Sequence, residues 1–474
     1  MQGGIHISAD FTKMQEHLQA LLKQVDVDYC EVRLENSREL VIQFQGQALE
    51  QVRTSKLYGG NVRALHRGGW GFASFNSYED LEANLRLACT QAKAAGRVVD
   101  SESLLAAVPV VVDDVVPHWT LHPEAVTVDE KVRILSGYHQ LVLSYEHIPA
   151  SSVYYHDRCT TLWFANSEGT VIRQEKLDVS ASIAAQGRKG EVSASNGVTI
   201  GSSIGMEQIL GLEPKIKEMC ALTQQLLDAP SIKAGVYPVI CDPAHTGLFV
   251  HEAFGHLSEA DDLSKSPFIK TMPIGRVLGK PILTIYETGD QMNARGGMIY
   301  DDEGVRCERV DLVLKGRLSG RLHSRWSAAA LAAEGATVNG SARALNYIHP
   351  PIVRMRSTCI EAGESTFEEM LEGIELGVYA VGSGGGQTNG EMFNFAATYA
   401  YMIRNGKLAE LVRDVKLMGN VFTTMENIDM IGKECGYFGG GPGGCGKNAQ
   451  APLPTGGLNP HIRIQNVIVG GVKE

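Results

Sequence analysis

The chain has 474 residues, 44% apolar and 20% charged, with a formal net charge of −11. That is the make-up of a soluble globular protein too long for one small core. The acidic balance excludes general binding to nucleic acid or anionic membrane, since both require a basic surface.

The N-terminal MQGGIHISADFTKM lacks the charged-then-apolar order of a secretory signal. No window offers the roughly 18–20 apolar residues of a membrane helix. Nine scattered cysteines without a CxxC pair speak for a reducing, cytoplasmic setting rather than a disulfide framework.

Residues 11–25 place Phe11, Met14, Leu18, Leu21, Leu22 and Val25 on one helical face. Short alternating runs follow, YCEVRLE, LVIQFQG, GGNVRALH and GWGFASF, which predict hairpins of an antiparallel sheet. SYED at 77–80 has a capping-box pattern, and its helix should run to about Gly96. A Pro- and Val-rich connector covers 105–118, and Thr127 with Glu130 caps a helix reaching about Leu143. Further strand-like runs occupy the stretch to about residue 200. A helical stretch over 206–228 is interrupted by Pro214. DAPSIKAG then marks a boundary. It divides the chain into residues 1–228, an α/β domain with an antiparallel sheet and flanking helices, and residues 229–474, which are β-rich. The fold class is α+β.

In the second half VYPVICD reads as a buried strand. A helix follows it, with Asp242 as N-cap and Pro243 in the first position. STFEEMLEGIE is a short capped helix. The long segment from GVYAV to about Val421 reads as a β-meander with RNGK as one hairpin turn. Glycines, 52 in all, gather in this half, notably in VGSGGGQTNGE and FGGGPGGCGK.

Within the capped helix stands FVHEAFGHL, in which His251, Glu252 and His256 form HExxxH. Two ligands of one metal must share a helix face. Residues five apart lie about 140° from each other on a regular α-helix, whereas residues four apart lie about 40° apart. The motif can chelate only if a π-bulge absorbs the extra residue or the helix breaks near Gly255. The chemistry otherwise suits a metal: imidazoles are common zinc ligands. A glutamate beside the first of them can take a proton from water whose pKa the metal lowers from about 15.7 to about 7. A catalytic zinc takes three protein ligands, and Cys445, in its glycine-rich loop, is the best third candidate; an inert thiol is the alternative.

Other polar clusters have plainer readings. His245 lies about 240° from His251 round the helix, a poor co-ligand. His323 could act as a transition-state electrophile or be solvated, and the solvated reading is expected; the acidic run YDDEG at 300–304 is expected to be a solvated turn rather than a Mg²⁺ site. Arg354 and Arg356 alternate on one strand face, where they could bind a peptide carboxylate or enter a structural ion pair; the ion pair is expected. Neither glycine-rich loop has the spacing of a nucleotide site.

Taken together, HEAFGH after a buried strand, YDDEG, NGSARA, PIVRMRST and the late GGPGGCGK resemble the TldD/PmbA family of metalloproteases, once called modulators of DNA gyrase. The resemblance runs along nearly the whole chain and is most specific after about residue 235. It implies a zinc peptidase with His251, His256 and Cys445 as Zn²⁺ ligands and Glu252 as general base, of the TldD-like type that keeps the metal motif. It also implies a barrel-like C-terminal domain carrying the metal, and a homodimer or a heterodimer with a PmbA-like subunit. Substrates would be short or unfolded polypeptides reached through an enclosed channel. Ser341 stands in NGSARA where the family pattern would place a histidine. A non-catalytic scaffold with a structural metal site is the competing reading; it would need a fourth protein ligand.

Overall fold

Period-two alternation shapes the first half of the molecule. The computed structural model describes residues 10–99, 104–263 and 268–470; residues 1–9, most of the stretch read for a signal sequence, lie outside them. The first strands are β1 (Tyr29–Gly46), β2 (Ala48–His66), β3 (Gly69–Phe75), β4 (Val112–Val115), β5 (Ala150–Asn166), β6 (Val171–Lys189) and β7 (Val192–Ser202). They form one sheet in the order β3-β2-β1-β5-β6-β4, with β7 also on β6. All pairs are antiparallel except β4 with β6. YCEVRLE and LVIQFQG are thus one long strand rather than a hairpin, because the polar residues between them continue the pairing on both sides.

Four helices flank this sheet: α1 (Phe11–Leu22), α2 (Leu81–Ala95), α3 (Val128–Leu143) and α4 (Glu213–Asp228). Thr127 caps α3 by accepting the Glu130 N–H at 3.2 Å. Ser77 makes no such bond, and a single 3₁₀ turn, Tyr78–Asp80, leads into α2 instead. Pro214 sits in the first turn of α4, where its missing N–H costs nothing.

The long strands serve two cores along their length. Val32 and Leu34 of β1 pack with Trp163 of β5 and with Leu18 of α1 and Leu85 of α2. Leu40, Ile42 and Phe44 pack with Val153, Tyr155, Leu135 of α3 and Ile216 of α4. These are alternate residues, so the opposite face of the sheet is presented by Glu31, Arg33, Glu35 and Ser37, by Arg158 and Thr160, and by Lys176 and Asp178. This charged face is covered by the second half of the chain. The turn at Gly304 lies so close that a Cβ there would overlap the Phe164 ring.

The second half is built on β8 (Gly235–Cys241). It pairs antiparallel with the long strand Gly457–Gly470 and parallel with Leu376–Val381, inside a nine-stranded sheet. The expected meander is not formed. Leu376–Val381 pairs with Tyr399–Arg404, while the intervening hairpin Gly386–Asn389 and Met392–Ala396 pairs onward to Lys416–Asn420. Strand order is set here by burial against β8 and its neighbours rather than by chain adjacency. RNGK does turn a hairpin: Asn405 and Gly406 have φ of 50° and 73°, as a two-residue primed turn requires. Gly386–Asn389 and Lys407–Val412, the ends of the sheet, are not paired with each other, so the described strands do not close into a barrel. The molecule is α+β.

Candidate metal centre

Asp242 ends β8 and starts α5 (Pro243–Phe249). Its carboxylate accepts the His245 N–H at 2.7 Å, with Pro243 in the first turn. Beyond Phe249 the helix widens. Val250–Gly255 form a π-helical turn and His256–Ser258 a 3₁₀ turn. An i→i+5 turn returns residues five apart to one face, so the rings of His251 and His256 meet with centroids 5.4 Å apart. Gly255 is required by packing: a Cβ there would overlap the Met355 sulfur.

Cys445 arrives from the other end of the sequence. It opens the strand Cys445–Lys447, which pairs with Gln450–Leu453. A side chain at the preceding Gly444 would collide with the Leu453 carbonyl, so only glycine lets the two arms approach. The hairpin is clamped from beneath by Arg354, which donates to the carbonyls of Cys445 at 2.6 Å and Gln450 at 3.0 Å. Among the described residues Arg354 has no carboxylate within 4.0 Å, so the expected ion pair is not formed there. Arg356 does make one, lying 3.5 Å from Glu287.

The three candidate ligands converge. One ligand atom each from His251, His256 and Cys445 all lie within 4.8 Å of one another. Cys445 Sγ is 3.3 Å from His256 Nε2, close to the edge of about 3.5 Å of a tetrahedron with zinc–nitrogen at about 2.1 Å and zinc–sulfur at about 2.3 Å. Two imidazoles and a thiolate are the donor chemistry of zinc. Burial alone would raise the Cys445 thiol, but hydrogen bonds to His251 and His256 bring it down to about 5, so it is a thiolate near neutral pH, as a metal ligand must be. Burial likewise disfavours the charged His256, and its contacts with Cys445 and Glu259 outweigh that, raising it to about 10.

His256 is oriented from behind. Its Nδ1 is 3.0 Å from Glu259 Oε2. Lys447 Nζ, two residues past Cys445, lies 3.3 Å from the same oxygen and donates to Asp261 at 2.7 Å and to the Val353 carbonyl at 3.1 Å. The two chain segments that bring the candidate ligands are thereby locked to each other by a charge network. Glu259 and Lys447 were not singled out in the sequence. The available signal was Glu259 three residues after His256, within reach on one turn. Glu252 is half-buried and makes no hydrogen bond or ion pair among the described residues.

His245 lies apart from this cluster, buried, with Nδ1 on the Gly382 carbonyl at 3.0 Å. Two expectations are corrected. His323 is not solvated: it is 4% exposed, contacts Ser327 Oγ at 3.3 Å and is driven down to about 4 by burial and then by Arg321. The acidic run is a turn but not a solvated one. Asp301, Asp302 and Glu303 are all buried, because the turn docks on the charged face of the first sheet, where arginines and backbone N–H groups replace water.

Comparison with known proteins agrees with this architecture. Models of the PmbA/TldA metallopeptidase match three stretches: domain 1 over residues 30–96, the central domain over 121–225 and the C-terminal domain over 234–471. A metalloprotease of Synechocystis sp. is 40% identical over 94% of this chain and 96% of its own length. A metalloprotease of Methanothermobacter thermautotrophicus is 32% identical over 96% and 99%. A zinc metalloprotease TldD homolog of Saccharolobus solfataricus is 31% identical over 68% and 72%. In fold the chain is similar to TldE from Thermococcus kodakarensis, with a TM-score of 0.75 at 17% identity over 97% of this chain and 99% of that one. The chain belongs to the TldD/PmbA family of metallopeptidases.

Proposed function

We propose that this chain is a zinc-dependent peptidase acting on short or unfolded polypeptides, with His251, His256 and Cys445 as ligands and Glu252 as general base. The observation that carries the reading is the π-turn, which makes HExxxH a chelating pair and leaves Glu252 half-buried beside it without a partner among the described residues. Zinc at this site would supply Lewis acidity, acidifying a water and polarising a peptide carbonyl. Glu252 takes the proton of the attacking water and delivers it to the leaving amine. The Glu259 carboxylate holds the His256 ring in its ligating orientation. The Arg354-clamped hairpin keeps the third ligand fixed.

A structural zinc would close its shell with a fourth protein ligand; among the described residues the cluster has three. The deciding experiment is Glu252→Ala. The variant should retain metal by elemental analysis and lose peptide cleavage by about 10²–10⁴-fold. Undiminished cleavage rejects the mechanism.

A further inference from the structure

Between the charged face of β1, β5 and β6 and the second half of the chain lies a cavity of about 450 Å³, within the size range of ligand pockets. Gly443 and Leu453 are part of its wall. Gly443 is two residues from Cys445, at most about 7 Å along the chain, and Leu453 is paired with Cys445 itself. The cavity therefore adjoins the metal centre without containing its ligands.

Most charges in this wall are matched. Arg158 lies 2.7 Å from Glu35, and Lys176 lies 3.3 Å from Asp302. Arg295 grips both oxygens of Asp178 and holds the glycine loop through the carbonyls of Gly441 and Gly443. One guanidinium group is not matched. Arg343, 6% exposed, bonds only to the carbonyls of Met355 and Pro454 and has no carboxylate within 4.0 Å among the described residues. Arg33, also 6% exposed, is matched, its Nη2 lying 3.3 Å from Glu35 and 3.4 Å from Asp302. Buried donors without acceptors are costly, and a buried guanidinium without a counter-charge more so. The cost is recovered when an anion enters.

We infer that this cavity binds a carboxylate of the peptide substrate, held by Arg343, an inference that rests on the peptidase reading. Guanidinium forks match carboxylates in geometry and charge. The position suits a substrate anchor. Arg343 is fixed to Met355, whose side chain packs against Gly255 of the π-turn, so the anchored carboxylate keeps a set distance from the ligating turn. The carboxylate is either the C-terminus of the peptide or an acidic side chain within it.

The test uses the full chain without metal and four fluorescent hexapeptides: free-acid or amidated C-terminus, each with Glu or Gln at one internal position. By fluorescence anisotropy, peptides bearing the recognised carboxylate should bind about tenfold tighter than the amidated Gln peptide. Gain with the free acid identifies the terminus; gain with Glu identifies the side chain. Arg343→Gln should abolish the gain and Arg343→Lys restore part of it. Equal binding of all four peptides to the unaltered chain overturns the proposal whatever the variants do, as does a full gain retained by folded Arg343→Gln. The two readings fail separately. A zinc-loaded chain that cleaves none of the peptides, while the metal-free chain still prefers the carboxylate, refutes the peptidase and leaves the anion site. Cleavage of all four with equal kcat/KM and equal binding refutes the anion site and leaves the peptidase.

Discussion

Two short turns, 250–258 and 300–304, are both crowded with ionisable side chains, the first largely and the second wholly buried, yet they are built on opposite plans. In the acidic turn every carboxylate oxygen has a partner. Asp301 accepts the N–H groups of Glu303, Val305 and Ala342. Asp302 meets Arg33, Lys176 and the Ala344 N–H. Glu303 meets Arg63 and the Arg325 N–H. In the histidine turn the donor atoms converge on one another and on Cys445, and Glu252 faces no partner among the described residues. Complete satisfaction is the mark of charges that hold a structure together. Convergence of groups that would otherwise compete for protons is the mark of a site waiting for a ligand.

That contrast can be broken by experiment. The largest effect is expected at the acidic turn. Asp302→Ala leaves Lys176 without its carboxylate and Arg33 with one fewer, and should destabilise the metal-free chain by about 3–5 kcal/mol in urea denaturation. A loss below about 1 kcal/mol would show that solvent reaches this turn.

The pH dependence follows from the same carboxylate. Burial would raise Asp302, but Arg33, Lys176 and the Ala344 N–H hold it down at about 2, against an unfolded value of about 3.9. Its contribution, roughly 2–3 kcal/mol by linkage, is fully present above the unfolded value and is lost as pH falls toward 2. Denaturation midpoints of the unaltered chain should therefore drop between pH 4 and pH 2, and those of Asp302→Asn should drop less steeply. Parallel slopes would remove Asp302 from the account.

The smallest of the three effects is at the metal centre. Glu259→Gln keeps an acceptor for His256 Nδ1 but removes the charge facing Lys447. Zinc affinity, measured by chelator competition, should fall by about 10–100-fold with the fold intact. Affinity within twofold of the unaltered chain would reduce Glu259 to packing.

How much of this was legible in the sequence depends on whether the cause was local. The cap at Asp242, the short capped helix in STFEEMLEGIE and the Asn405–Gly406 turn are set by residues three or fewer apart, and each stands where the sequence put it. A departure from the regular helix was legible too, because five-residue spacing of two candidate ligands is incompatible with one; the structure takes the π-turn rather than a break at Gly255. By contrast His323 and the 300–304 run look hydrophilic and are buried, since nothing in a local window says which surface a turn will dock against.

The sequence by itself determined the pairing of His251 with His256 as candidate ligands and the need for a backbone distortion to unite them, because both are matters of helical phase within one segment. Tertiary structure alone decided that Cys445, a candidate already in the sequence, comes within 3.3 Å of His256 across 189 residues, that Glu259 and Lys447 brace the cluster, and that Arg343 lines the adjoining cavity. Those arrangements depend on which strands pair and which faces they bury. That is fixed by the sum of long-range packing, which no single stretch of chain encodes.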